Sequence, residues 1–300
     1  MTPGANVPSP EGPKIGTFRL GTGAGGVDWL DIWRRMHDAE RAQTEASAGT
    51  QPAGADGWAR KARQFARAHD RIPQPDAFMR FVLPHLRASD TVLDIGAGAG
   101  RHALFLAERV AQVVAVEPSE GMRQQLQARL AGAKDMRLTV LPIPWPEVTP
   151  RCDVAISAHV LYGVREVGPF LTAMDAAARR ACFVLMGMHQ PSFALAPFWE
   201  RLYGAVRHPL PGALECLNVL HQLGIPARLT LVPASRYVFA DRQEALEDLR
   251  WRLSLTDDTP DEWLLTAIDD LLEQVGDVRL TPRHQPEHVA VLWWTRGEAS

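Results

Sequence analysis

The segment TVLDIGAGAGRHALFLAERVAQVVAVEPSEGM, Thr91 to Met122, limits the fold more than any other part of the chain. Two short apolar runs, Val92 to Ile95 and Val113 to Val116, flank a glycine-rich turn and a helical stretch, Arg101 to Val110. Neither run alternates polar with apolar residues, so each reads as a strand covered on both faces. Strands of that kind belong to parallel sheets whose crossover helices lie on either side. The turn glycines let the backbone approach a ligand closely, and a following helix N-terminus favours polar or anionic groups there.

The same rhythm continues downstream. Strands are expected at Arg137 to Leu141, Val154 to Ser157, Phe183 to Met186, Arg228 to Phe239 and His288 to Trp294, with helices at Ser119 to Leu130, Gly168 to Arg180 and Ala213 to Leu223. Residues 1–26 are rich in Pro and Gly and poor in apolar side chains, and read as a disordered tail. Helices over 27–48, 58–71 and 76–87 form an N-terminal helical lid spanning 27–88. The main domain, 89–296, carries helical insertions at 189–212 and 240–285, which are expected to form the lid together with the N-terminal helices.

Composition narrows the function classes. A formal charge of −3 and a pI near 6.4 lack the basic excess of a chain that neutralises many phosphates, so no nucleic-acid partner is expected. Cys152, Cys182 and Cys216 are odd in number and have no CxxC spacing, which argues against a disulfide framework and a zinc ribbon. The histidines show no HExxH spacing, and no metal is expected. No secretory signal and no long apolar window stand out, so a cytoplasmic location with no membrane partner is expected.

What the turn holds is set by its detail. Gly96 and Gly98 fit the first two positions of a dinucleotide fingerprint, but the third falls on Arg101, which disfavours a nicotinamide cofactor. Instead Asp94-x-Gly96-x-Gly98-x-Gly100 resembles motif I of the class I S-adenosylmethionine-dependent methyltransferases. Glu117 ends the second strand, and "CDVAISAHVLYGV" resembles the family's fourth strand and its loop; the likeness spans roughly Asp76 to Trp294. It implies an α/β, Rossmann-like, seven-stranded and mostly parallel sheet with an antiparallel last strand. It also implies S-adenosyl-L-methionine as cofactor. By the resemblance, the backbone of Gly96, Ala97 and Gly98 lines the methionine portion, Asp94 orients its ammonium, and Glu117 takes the ribose hydroxyls. Pro118, Ser119 and Met122 flank the adenine, and Ala158 borders the site. One departure is plain: "LPIPWPEV" after the third strand has no acid beside the adenine. Ile143 can offer a backbone N–H there, while Trp145 either stacks on the adenine or plugs the sheet edge.

The loop after the fourth strand faces the transferred methyl in this family. There His159 is the candidate general base, with a pKa expected to suit neutral pH, and Tyr162 the candidate orienting group. The competing reading makes His159 a loop-shaping residue. His189 and Gln190 follow the fifth strand and are candidate substrate contacts. The loop lacks the Asn/Asp-Pro-Pro-Tyr/Phe of amino-methylating enzymes, and nothing matches a Pro-Cys nucleophile or the acidic ligands of metal-dependent catechol-type enzymes. What remains is metal-independent methylation of a small molecule, with a homodimer as an open arrangement; the alternative is a cofactor-binding but inactive regulatory subunit. An aromatic lid favours an apolar or aromatic substrate.

Overall fold

The computed structural model describes residues 26–48, 62–131, 137–253, 255 and 260–296. The expected tail therefore lies outside the described residues, apart from its last position, as does the start of the second helix. Three helices lead, α1 (Trp29–Ala48), α2 (Ala62–Asp70) and α3 (Ala77–Val82). Alternation then runs through β1 (Thr91–Ile95), α4 (Arg101–Ala107), β2 (Gln112–Val116), α5 (Glu120–Leu130), β3 (Leu138–Leu141), β4 (Cys152–Ala158), α6 (Val167–Ala177) and β5 (Ala178–Met186). It closes with α7 (Ala196–Tyr203), α8 (Ala213–Gln222), β6 (Arg228–Pro233), α9 (Arg242–Arg252), α10 (Asp261–Leu271), β7 (Leu272–Val275), β8 (Arg279–Pro282) and β9 (His288–Thr295).

Seven strands form one sheet in the order β3-β2-β1-β4-β5-β9-β6, with β9 antiparallel to both neighbours and the other pairs parallel. The fold is the α/β, Rossmann-like, seven-stranded arrangement expected above. Side chains alternate between two cores, as pleating requires. Leu93, Ile95, Val116, Ala155 and Val184 face α6, α8 and Trp33 of α1. Val92, Val113, Ile156 and Phe183 face α3 and α4. A third core joins the two insertions to each other: Phe198 and Trp199 of α7 pack with Leu246 and Leu249 of α9 and Leu264 and Ile268 of α10.

Four details depart from the sequence reading. The helix expected over 168–180 stops at Ala177, and Ala178 to Arg180 open β5, because pairing with β4 outweighs the helical preference of Ala-Arg-Arg. The strand expected over 228–239 ends at Pro233, where the chain leaves the sheet for the lid. The second insertion is not wholly helical: β7 and β8 make an antiparallel hairpin around Gly276, which has φ +69°. The alternation across a Gly-Asp turn was its signal.

The fourth concerns the lid. Helix α1 packs against α6 and α8, and its residues do not line the cleft described below, whereas α2 and the loop before α3 do. Trp33 is fully buried and its indole N–H donates to the Val164 carbonyl at 2.8 Å. Trp33→Ala should lower unfolding free energy by about 3–5 kcal/mol, read as a lower urea midpoint. A loss below about 1 kcal/mol would make α1 a loosely attached flap instead.

Candidate functional site

The carboxyl ends of β1, β2, β4 and β5 open into a cavity of about 1690 Å³. Its floor is built by the glycine turn. The Val116 carbonyl accepts from both the Gly96 and Ala97 amides, at 2.8 and 3.2 Å, so the turn is tied to the end of β2. Gly96, with φ +74°, is pressed against Val160, and a Cβ there would lie 2.4 Å from that side chain. Gly98, with φ +57°, has nothing within 4 Å of a built Cβ, so its bare face looks into the cavity. The first glycine thus serves packing and the second serves access.

Two carboxylates bracket the turn. Glu117 accepts from the Gly98 amide and from the Ser119 amide, both at 2.8 Å, which fixes its orientation. Ser119 also caps α5, accepting from the Met122 amide. Asp94 is 2% exposed and its Oδ2 has no partner among the described residues. Burial pushes its pKa up to about 6, the Glu117 charge adds to the rise, and His102 and the Ala103 amide oppose it. An unpaired buried carboxylate at the base of a cavity is costly, and its natural complement is a cationic or hydrogen-bonding ligand group.

Asp94, Gly96, Ala97, Gly98, Glu117, Pro118, Met122, Ala158, His159 and Tyr162 all line the cavity, as do Ser119, His189 and Gln190. Ile143 and Trp145 do not. Ile143 is half-buried beyond β3, and the Trp145 indole donates to the Phe170 carbonyl at 3.1 Å while its ring meets Phe170 edge-on at 6.2 Å. Trp145 is therefore the sheet-edge plug, because its N–H and ring are both engaged by α6. In place of an acid after β3, α2 contributes Gln64 and Phe65 to the cavity wall, and Phe65 packs beside Met122. Nothing local in the sequence signals that contact.

His159 adopts φ +60°, an unusual backbone for a side chain larger than glycine, and its amide donates to the Leu185 carbonyl at 2.9 Å. Its side chain is open to the cavity, but densely surrounded by protein, and that burial depresses its pKa to about 4, with Arg101 and His102 adding to the effect. That environment favours the neutral imidazole. Its Nδ1 lies 3.4 Å from the Tyr162 hydroxyl, which accepts from the Gly187 amide. Burial raises the Tyr162 pKa well above its ordinary value, so the phenol stays protonated.

Sequence reasoning missed one cluster in the cavity wall. Asp76 caps α3 by accepting from the Met79 amide at 2.7 Å, and it also pairs with Arg101 and with His102 Nε2. Burial opposes its ionisation, but the His102 hydrogen bond and the nearby positive charge hold its pKa well below the usual carboxylate range. The cluster anchors α3 to the first turn of α4. No group of three or more His, Cys, Asp or Glu able to hold a metal occurs among the described residues, and none of their helices is long and apolar enough to cross a membrane.

Residues 92–180 match a family model described as a methyltransferase domain. A relative from Haemophilus influenzae, described as an uncharacterized protein, is 26% identical over 197 residues, covering 64% of this chain and 71% of its own. Among solved structures, the YcgJ protein of Bacillus subtilis is 13% identical with a TM-score of 0.48, over 72% of this chain and 96% of that one. Magnesium protoporphyrin IX methyltransferase from Synechocystis, with bound S-adenosylhomocysteine, is 14% identical with a TM-score of 0.42, over 70% and 95% of the two chains.

The Asp94 environment makes a test of the site free of any ligand. Its folded pKa lies above the ordinary 3.8, so its ionisation weakens the fold as pH rises from about 4 to about 6, and the penalty persists above that. Asp94→Asn should therefore stabilise the ligand-free protein by about 1–3 kcal/mol at pH 8. The gain should fade towards pH 4, as followed by urea unfolding at both pH values.

Proposed function

We propose that this chain, which carries a methyltransferase domain over residues 92–180, transfers a methyl group from S-adenosylmethionine to a small-molecule acceptor without a metal. The observation that carries the reading is the buried Asp94 Oδ2 without a partner, beside a glycine turn whose open face at Gly98 lies 2.8 Å by its amide from the Glu117 carboxylate. When bound, the cofactor supplies an electrophilic methyl on a sulfonium. Asp94 would meet its ammonium group, directly or through water, and Gly96 to Gly98 would lie along its methionine portion. Glu117, already oriented by two amides, would take the ribose hydroxyls. Pro118, Met122 and Phe65 would enclose the adenine, and Gln64 supplies the amide that the missing acid after β3 does not.

Methyl displacement needs an aligned nucleophile and exclusion of water more than it needs acid–base help. The two insertions serve the second need by contributing residues such as Phe193, Pro197 and Trp251 to the cavity wall. For an acceptor that carries a proton, His159 is the base. A neutral imidazole can take that proton only in the tautomer whose Nδ1–H points to the Tyr162 oxygen and whose Nε2 keeps its lone pair. Tyr162 then fixes the ring, held in turn by the Gly187 amide. A base of pKa about 4 is weak, which suits an acceptor that becomes acidic only as the methyl is transferred.

Calorimetric titration should show binding of S-adenosylmethionine and S-adenosylhomocysteine but not of NADH. Gly98→Val, which fills the open face and strains a backbone at φ +57°, and Glu117→Ala should each weaken binding by about a hundredfold or more, with circular dichroism still that of a folded protein. Unaltered affinity in both variants would refute the assignment. Proton NMR of the His159 ring should show it uncharged down to about pH 5, and His159→Ala should remove that resonance; a midpoint near 6.5 would return it to the ordinary, loop-shaping role.

A further inference from the structure

The second insertion contributes part of the cavity wall, and it carries a charged group that the cofactor reading does not use. Arg252, the last residue of α9, donates from Nε to the Asp248 carboxylate at 2.7 Å and to the Tyr237 hydroxyl at 2.8 Å. Tyr237 and Asp248 are hydrogen-bonded to each other as well. The guanidinium carbon stands over the rings of both Tyr237 and Trp251 at 5.2 Å. All four residues line the cavity, and the Arg252 side chain keeps 13% exposure.

The arrangement is asymmetric in a way that a purely structural ion pair does not require. An arginine that merely neutralises a carboxylate does so best side-on, with two parallel bonds. Here the described hydrogen bonds of Arg252 run through Nε, and its two terminal nitrogens have no partner among the described residues. Asp248 sits four residues back on the same helix and holds the stem, while the aromatic faces hold the plane. The remaining fork of donors is preorganised, partly desolvated and on the cavity wall. Its geometric complement is a planar carboxylate.

Space permits a second ligand on this side. The cavity of about 1690 Å³ exceeds the about 300–1,000 Å³ typical of a pocket for one small ligand. The cavity lining also includes apolar and aromatic side chains, among them Phe193, Met188 and Phe239. We infer that the methyl acceptor is an apolar, aromatic carboxylate whose carboxylate group is gripped by Arg252 while its nucleophilic atom is presented at the His159 end of the cavity. This rests on the methyltransferase reading above.

The test separates the two. Protein saturated with S-adenosylhomocysteine is titrated with 4-hydroxybenzoate, 6-hydroxy-2-naphthoate and indole-3-acetate, and with the carboxamide of each. The expected result is that at least one carboxylate binds about tenfold or more tighter than its amide. Arg252→Gln should erase that preference while S-adenosylhomocysteine affinity stays as in the wild type, and Arg252→Lys should recover only part of it. Carboxylates that bind no better than amides, or not at all, to a protein that still binds S-adenosylhomocysteine would overturn the carboxylate site alone. Failure to bind S-adenosylhomocysteine would overturn the methyltransferase reading. If Arg252→Gln does not fold, Arg252→Lys decides, since it keeps the charge but not the planar fork: an undiminished acid-over-amide preference in that variant would overturn the assignment to Arg252.

Discussion

The site depends on the way the first two parallel strands are tied together at their carboxyl ends. The Val116 carbonyl receives the Gly96 and Ala97 amides, and the Glu117 carboxylate receives the Gly98 amide, so the turn leaving β1 is fastened to the residue leaving β2. Parallel strands demand a crossover helix, and the crossover demands a turn at the strand's end. Fastening that turn to the neighbouring strand fixes where α4 begins and leaves Gly98 facing outward. Had β2 been slipped by one residue, Glu117 would point to the opposite face and the turn would lose its anchor.

Against that rigid edge stands a deliberate instability. Asp94 is in the middle of two parallel pairings, opposite Ala115 and Ile156, with one oxygen unpartnered and a second carboxylate nearby. Burial favours its protonated form, whereas a ligand ammonium favours the ionised one. Binding would therefore relieve a penalty built into the ligand-free fold, which is the stability cost expected at a site selected for function. The strained φ of His159 belongs to the same pattern, since the backbone there is held by the Leu185 carbonyl and not by its own preference.

The sheet was legible because its signals are local: apolar runs of strand length, punctuated by glycine, repeat from Val92 to Met186. The glycine turn, Asp94 and Glu117 were legible for the same reason, each being placed by a strand end. What escaped sequence reading was non-local. Trp145 could be assigned to a ligand or to the core only once α6 was seen to engage its N–H, and Asp76 meets Arg101 and His102 from 25 and 26 residues away. The depressed pKa of His159 follows from the density of protein around it, which no spacing encodes. Gln64 and Phe65 reach the cavity because α2 docks on α5, where Arg129 bonds to the Ala66 and Ala99 carbonyls and bridges the two helices to the turn.

The lid carries the remaining logic. Its two parts are separated in sequence by α8 and β6, yet α7, α9 and α10 share one apolar core. Tyr203 donates to the Leu253 carbonyl and Arg201 pairs with Asp270, which stitches the first insertion to the second. A single lid body can present Arg252 and its aromatic neighbours as a fixed surface, whereas two independent loops would each have to be ordered by substrate at an entropic cost. On the proposed function, the sheet edge would place the methyl donor and the lid body would select the acceptor that reaches it. Specificity can change through the lid without disturbing the turn on which cofactor binding depends.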